Sequence, residues 1–370
     1  MEGARCSGAT RPSRPRCVVS PTAGGPVASQ TEIDAMRRAI DAARTVGRTL
    51  PNPPVGCVLL APDGTELAVG VHRGAGTDHA EVDALKQAGD RARGATAVVT
   101  LEPCDHTGRT GPCTRALLDA GVARVVHGSG DPAEGAGGAK ALIDAGVDVE
   151  SGVLVDETDE LIRFWAFRHV HGRPFVTWKY AATLDGLSAA PDGTSQWITS
   201  QTARRDVQQF RAECDAIMAG TNSVLTDDPR LTVRDDDDRP LPYDRQPLRV
   251  VVGESKIPQY YRVLDRVAPT RLIQSRDPHE VLGLLNEAGI HHVWLEGGPR
   301  LAGAFWGAGL IDRVIGYLAP AMLGSGRAAL EGEATTLADI RPIAITDLSM
   351  VGPDIRIIGT PGRAPREDMD

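Results

Sequence analysis

His79-Ala80-Glu81, followed by Pro103-Cys104 and then Cys113, is the stretch from which the rest of the chain can be read. One imidazole and two thiols are donors that suit Zn²⁺, and three protein ligands leave the fourth tetrahedral position open, as in a catalytic rather than a structural site. Glu81 lies two residues after the histidine. It is not needed as a ligand and is placed to move protons. Taken singly, these residues fit a core histidine and two packed thiols, since cysteine is often buried for packing alone. Taken in this order, they favour the metal. His106 would supply a fourth ligand, but two residues from Cys104 on a short loop its geometry is awkward.

The neighbouring sequence supplies a frame for these residues. Ile33, Met36, Ile40 and Ala43 recur at helical spacing, and Gly47 ends the run. Leu50-Pro51-Asn52-Pro53-Pro54 is a rigid loop. Residues 55–60 and 66–71 flank an Asp63-Gly64 turn as a β-hairpin. His79 and Glu81 open a helix reaching Ala88, which fixes both side chains on rigid backbone. A strand over 95–101 delivers Glu102-Pro103-Cys104, and Cys113 opens a helix with Ala116, Leu117 and Ala120 inward. A strand over 122–127 follows by a parallel crossover. Gly128, Gly130 and Gly135 lack the spacing of a dinucleotide fingerprint and read as a turn. A helix over 138–145 and a strand over 147–153 close a first domain, residues 31–153. Residues 154–173 form a connecting segment, a helix with Leu161, Phe164 and Phe167 buried.

A second αβ pattern occupies 174–360, before a short tail, 361–370. Strands are expected at 175–181, 216–219, 248–252, 270–273 and 292–295, and helices at 203–211 and 278–288. Asp235 to Asp238 is a solvated like-charge loop. The last of these strands runs into Glu296-Gly297-Gly298-Pro299. Glycines between a strand and a helix N-terminus form an anion cradle, although the same pattern also serves as a plain tight turn.

The chain of 370 residues exceeds one hydrophobic core, so two domains are expected. Its net charge of −9 and 4% aromatic content argue against a nucleic-acid partner. No apolar run approaches a membrane span. Six sparse cysteines are not a disulfide framework and suit a reducing, cytoplasmic location. Residues 1–30, rich in Arg, Pro, Gly and Ser, read as a disordered extension. Their composition is also compatible with an organelle transit peptide or an upstream mis-set start.

Over residues 31–358 the sequence resembles the bifunctional riboflavin-biosynthesis deaminase/reductase family of bacteria. In the first half the resemblance rests on Pro51-Asn52-Pro53-Pro54-Val55-Gly56, on His79-Ala80-Glu81, and on the run from Leu101 to Cys113. Zinc deaminases share an H-x-E…P-C pattern, but cytidine and transfer-RNA deaminases space the cysteines as Cys-x-x-Cys. Here eight residues intervene, as in the riboflavin enzymes. In the second half it rests on Trp178-Lys179, Leu184-Asp185-Gly186, Ser188, the run Ser195 to Thr199, the run Asp227 to Arg234, and Glu296-Gly297-Gly298. Gly111, Asn222 and Gly253-Glu254-Ser255 depart from the family pattern.

The resemblance implies an α/β protein: an N-terminal cytidine-deaminase-like α/β/α domain, then a dihydrofolate-reductase-like α/β domain. It implies two consecutive steps on a phosphorylated pyrimidine, a Zn²⁺-dependent deamination and an NADPH-dependent reduction of the ribosyl group. His79, Cys104 and Cys113 would hold zinc, Glu81 would shuttle protons, and Asn52, His72, His106 and Arg109 would contact the substrate. NADPH would lie near Ala181, Trp197, Ser223, Asp227 and Gly298, and the second substrate near Ser195, Arg211, Leu231, Arg234 and Glu296. Lys179 would polarise the reacting group or pair with Asp185. Homodimers or higher homo-oligomers, formed through the reductase domain, would follow as well. Two other readings stand beside this one: a single-activity enzyme whose C-terminal half binds a nucleotide or holds a dimer, and a zinc-stabilised scaffold. Glu81 speaks against the scaffold, which has no use for a non-ligand carboxylate at an open metal position.

Overall fold

The computed structural model describes residues 27–107, 111–133, 135–332 and 334–362. Arg109, most of the N-terminal extension and most of the C-terminal tail lie outside the described residues. The chain divides into two compact units, one comprising the described residues up to Thr49 with Pro53–Ile162, the other Leu50–Asn52 with Arg163 onward.

The first unit begins with α1 (Gln30–Thr45). The helix starts three residues before the hydrophobic pattern does, because Ser29 and Glu32 form a reciprocal capping box. Its apolar stripe, Ala35, Met36, Ala39 and Ile40, packs on Val58, Leu60, Val98 and Val126. Then come β1 (Gly56–Leu60), β2 (Glu66–Val71), α2 (Ala80–Ala88), β3 (Thr96–Leu101), α3 (Cys113–Asp119), β4 (Arg124–Ser129), α4 (Gly138–Asp144) and β5 (Asp148–Ser151). They build a five-stranded sheet of order β2-β1-β3-β4-β5. The β1 pairings are antiparallel, and β3, β4 and β5 run parallel. Strands β1, β3 and β4 are buried almost throughout, which is why they read as unbroken apolar runs. Gly70 on β2 lets the start of α2 sit directly on the sheet, since a Cβ there would lie 2.2 Å from the Ala80 carbonyl oxygen.

Helix α5 (Val155–His171) spans the expected connecting segment, and the division between units falls inside it, after Ile162. Its buried side differs from the expected one. Ile162 and Trp165 are almost fully buried, whereas Leu161, Phe164 and Phe167 are half-buried. The two phenylalanines work through ring contacts instead: Phe164 stacks on His292 at 3.8 Å, and Phe167 meets Phe175 edge-on.

The second unit continues with β6 (Phe175–Thr183), β7 (Leu187–Ala189), α6 (Gln201–Glu213), β8 (Ala216–Gly220), α7 (Thr221–Asp227), β9 (Leu248–Val252), β10 (Thr270–Ile273), α8 (Pro278–Glu287), β11 (His292–Leu295) and α9 (Pro299–Gly307). After α9 come β12 (Arg313–Ala319), β13 (Arg327–Ala328), β14 (Ile343–Val351) and β15 (Asp354–Pro361). The main sheet has the order β10-β9-β8-β11-β6-β12-β15-β14. It is parallel from β10 to β12, and β15 and β14 add antiparallel strands at one edge. The chain leaves β8 toward β9 on one side and leaves β11 toward β12 on the other. Right-handed crossovers then place the following helices on opposite faces, so a crevice opens between the carboxyl ends of β8 and β11, the usual ligand position in such sheets. No helix among the described residues is long and apolar enough to cross a membrane.

Candidate active sites

In the first unit, three separate segments bring His79, Cys104 and Cys113 together. His79 is the N-cap of α2, Cys104 follows β3, and Cys113 is the first residue of α3. His79 Nδ1 lies 3.2 Å from Cys113 Sγ and 3.5 Å from Cys104 Sγ, and all three donor atoms fall within 4.8 Å of one another. Ligand bonds of about 2.0–2.3 Å give tetrahedral edges of roughly 3.3–3.8 Å, so this donor set fits zinc. His106 is exposed and outside the cluster. Cys57 is fully buried, and burial followed by the Glu81 and Asp83 carboxylates pushes its thiol up, so it adds no further thiolate.

The electrostatics prepare the site for a cation. The hydrogen bond with Cys113 leads the effects that bring the Cys104 thiol down to about 4, and His79 and the Cys113 backbone N–H add to it. The remaining proton stays on Cys113, whose pKa is raised by Cys104 and by burial. A bound cation deprotonates such a thiol. The hydrogen bond from His79 to the Cys104 sulfur raises the pKa of His79 against the opposing effect of burial. Glu81, 4% exposed, is pushed upward by burial, the direction that favours taking up a proton. His72, 3% exposed, bonds the Asp78 carbonyl through Nδ1 and sets its ring edge-on to His79 at 5.2 Å. Asn52 is half-buried on its loop.

In the second unit, Arg211 from α6 and Glu296 from the end of β11 form a two-pronged ion pair, with one bond at 2.9 Å. Trp294 Nε1 also donates to Glu296, and Arg211 Nη1 donates to the Thr232 carbonyl. Burial alone would raise the Glu296 carboxyl. Arg211, Lys179 and Trp294 overcome that and hold it at about 2. Lys179 is half-buried near this pair, and desolvation and the Arg211 charge lower its pKa against the opposing pull of Glu296. The Asp185 alternative does not form, because that carboxylate instead accepts from Thr183 Oγ1 and from the Leu323 and Gly324 backbone N–H groups. Arg234 pairs with the exposed Asp238 at 2.7 Å, while its Nε is buried with no partner. Burial, and then Arg211, lowers its pKa against the opposing pull of Asp238 and Glu296. Gln246 clamps the loop that carries these groups by bonding both the N–H and the carbonyl of Val233. Leu231 on that loop is 4% exposed with φ of 50°.

The crevice between β8 and β11 suits a phosphate. Gly298 is the N-cap of α9, and its N–H donates to Ser223 Oγ at 3.1 Å. A Cβ on Gly297 would lie 2.7 Å from Leu301, and one on Gly298 3.0 Å from Ser223 Oγ, so only bare backbone forms this floor. Ser195 Oγ donates to Asp227 Oδ1 at 3.3 Å. Trp197 is 66% exposed, with the Arg204 guanidinium over its ring, and Ala181 is half-buried on β6. The floor therefore fits the phosphate-bearing cofactor expected here.

Residues 29–129 match the family model described as the cytidine and deoxycytidylate deaminase zinc-binding region, and residues 174–350 match the RibD C-terminal domain. The riboflavin biosynthesis protein RibD of Mycobacterium tuberculosis is 46% identical over 333 residues, covering 87% of this chain and 95% of that protein. This chain belongs to the RibD family. RibD of Escherichia coli is 41% identical over 83% of this chain and 93% of its own length. The structure of Acinetobacter baumannii RibD superposes with a TM-score of 0.81 at 35% identity, covering 90% of this chain and 99% of that one. A Thermotoga maritima structure described as a diaminohydroxyphosphoribosylaminopyrimidine deaminase/5-amino-6-(5-phosphoribosylamino)uracil reductase gives 0.80 at 31% identity, with the same coverage. Both halves of the RibD architecture are therefore present, a zinc-binding deaminase domain and an NADPH-dependent reductase domain.

Two residues of structural weight were not assigned from the sequence. Asp83 accepts from the Val71 N–H and pairs with Arg73, tying α2 to the end of β2. Glu102, inside the quoted Leu101-to-Cys113 run, points its carboxylate at three backbone N–H groups of the segment 131–139. Neither partner set can be found from sequence spacing.

Proposed function

We propose that this chain catalyses two consecutive steps of riboflavin biosynthesis. The first is hydrolytic loss of the 2-amino group of 2,5-diamino-6-ribosylamino-4(3H)-pyrimidinone 5′-phosphate. The second is reduction of the ribosyl group, giving 5-amino-6-ribitylaminouracil 5′-phosphate. Residues 31–153 form the deaminase domain, 154–173 the connection and 174–360 the reductase domain. The observation that carries this reading is the His79, Cys104 and Cys113 donor cluster with the buried Glu81 beside it.

His79, Cys104 and Cys113 hold the zinc, which when bound polarises water and lowers its pKa to about 7. Glu81 accepts a proton from the attacking water and delivers it to the ring nitrogen; it then takes the remaining proton of the added hydroxyl and gives it to the amine, which leaves as ammonia as the C–N bond breaks and the carbonyl forms. Its burial favours the neutral carboxyl and so suits both receipt and return of the proton. Asn52, His72, His106 and Arg109 hold the substrate.

In the reductase, NADPH supplies the hydride. Ala181, Trp197, Ser223, Asp227 and Gly298 bind it, the bare-backbone floor at Gly298 taking a phosphate. Lys179, whose ammonium is made readier to release its proton by burial and by Arg211, supplies the proton that completes the reduction. Ser195, Leu231 and Glu296 line the substrate. Arg211 is held by Glu296 in a largely buried pair, whereas Arg234 is paired, among the described residues, only with the exposed Asp238, so Arg234 meets the substrate phosphate.

A homodimer formed through the reductase domain is part of the same proposal. The edge strand β14 exposes Ile345, Leu348 and Met350 at 60–66%, the kind of apolar edge that a second strand covers. Sedimentation of the full chain tests this point. Separate assays of ammonia release and NADPH oxidation on one purified preparation test the two activities, and absence of either would reduce the protein to a single-activity enzyme.

A further inference from the structure

We propose that Glu102 is a positioning residue for the Cys104 ligand, an inference that rests on the zinc reading above. Glu102 directly follows β3 and is 8% exposed. Its Oε1 accepts from the Gly137 N–H at 3.1 Å and the Ala139 N–H at 2.9 Å, and its Oε2 accepts from the Asp131 N–H at 3.3 Å. These donors all lie on the chain between β4 and the first turn of α4. An ionised acceptor roughly doubles the strength of such bonds, and several of them on one carboxylate fix a loop in place.

The clamped segment lies against the ligand turn. The Asp105 N–H donates to the Gly135 carbonyl, and a Cβ on Gly138 would fall 1.7 Å from the Pro103 carbonyl oxygen. A Cβ on Gly135 would lie 3.3 Å from Cys104 Cβ. From the other side, the Thr114 N–H donates to the Cys104 carbonyl, and Thr114 Oγ1 bonds Asp105 Oδ1 at 2.6 Å. Cys104 is thus gripped between the start of α3 and the 131–139 segment, and Glu102 is the charged group that ties the second jaw to the turn. Of the glycines that lack a nucleotide fingerprint, Gly135 is accounted for by this close packing. Partners standing behind a metal ligand typically change metal affinity by about 10–100-fold when removed.

The test is zinc affinity of the full chain by chelator competition, together with the thiolate-to-metal absorption of the Co²⁺-loaded protein. Glu102→Ala is expected to weaken zinc binding by about 10–100-fold and to alter the Co²⁺ spectrum. Glu102→Gln keeps an oxygen for Gly137 and Ala139 and should recover most of that loss. Thr158→Ala is the control for general destabilisation. It removes the buried hydroxyl bonded to Ser129 in the same unit, and its zinc affinity should stay at the wild-type value. Should Glu102→Ala fail to fold, Glu102→Asp, one methylene too short to reach the same N–H groups, carries the test with the same expected loss. NADPH oxidation supplied with deaminated substrate should be unaltered in every variant. Wild-type affinity in the Ala or Asp variant, or an equal loss in Thr158→Ala, would overturn the positioning role. A wild-type chain that binds no zinc would instead overturn the metal site itself, and the positioning role with it.

Discussion

Arg211 and Glu296 meet as a two-pronged ion pair with both side chains 12% exposed, and the half-buried Lys179 adds its charge to theirs. Three charged groups therefore share one low-dielectric position at the end of β11. Removing one partner of such a pair leaves an uncompensated buried charge, which costs more than the pair itself contributes.

Arg211→Ala should destabilise the protein by about 3–5 kcal/mol and abolish NADPH oxidation, while ammonia release survives at temperatures below unfolding. The double variant Arg211→Met with Glu296→Leu should recover much of the stability and none of the reductase activity. Urea unfolding of the two variants checks this. An equal loss of stability in both would mean that packing, not charge, holds the position.

The same pair predicts an acid limit. An unfolded Glu carboxyl titrates near about 4.3, whereas Glu296 in the fold is held at about 2. A depressed pKa means that the unfolded state binds the proton first. The stabilisation is therefore complete above the unfolded value and is lost as pH falls from about 4 toward 2, on the order of 3 kcal/mol in all. Melting temperatures across this range should drop for the wild type, and less steeply for the double variant.

Cys104→Ser should lose its zinc and, with it, ammonia release, by more than about 100-fold, the upper end for losing only a supporting partner. Elemental analysis should give about one zinc per wild-type chain. Undiminished zinc in the variant would remove Cys104 from the ligand set.

Arg234→Ala should raise KM in the reductase step and leave kcat and ammonia release little changed. Its side chain, 28% exposed and paired among the described residues only with the exposed Asp238, has the fork of donors that suits a phosphate. An unchanged KM would assign the phosphate to another cation.

Much of the first unit was legible because its signals are local. The apolar run of β3 and the helix starts at His79 and Cys113 are written in neighbouring residues, and together they carry the zinc ligands. The second unit was less legible where partners are distant. The Arg211–Glu296 pair spans 85 residues, and no spacing rule finds it. Lys179 and Asp185 suggested a pair by sequence proximity, yet the turn after β6 hands Asp185 to the backbone at Leu323 and Gly324. The pattern gave no strand beyond Leu295. β14 carries apolar side chains outward at an edge, so its alternation reports no buried face. The burial of Ile162 and Trp165 in place of Leu161 and Phe164 shows the same limit, since the ring partner of Phe164, His292, lies far along the chain.

The central claim is that one chain carries two independent sites, with Glu81 as the proton shuttle of the first. Glu81→Gln tests it most directly. Glutamine keeps the shape and can still hydrogen-bond, but it cannot accept the proton from water. The account predicts that kcat for ammonia release falls by about 10²–10⁴-fold, that zinc content stays at the wild-type level, and that deaminated substrate still drives NADPH oxidation at close to the wild-type rate. Loss of zinc from Glu81→Gln, or the stopping of both steps together, would contradict it.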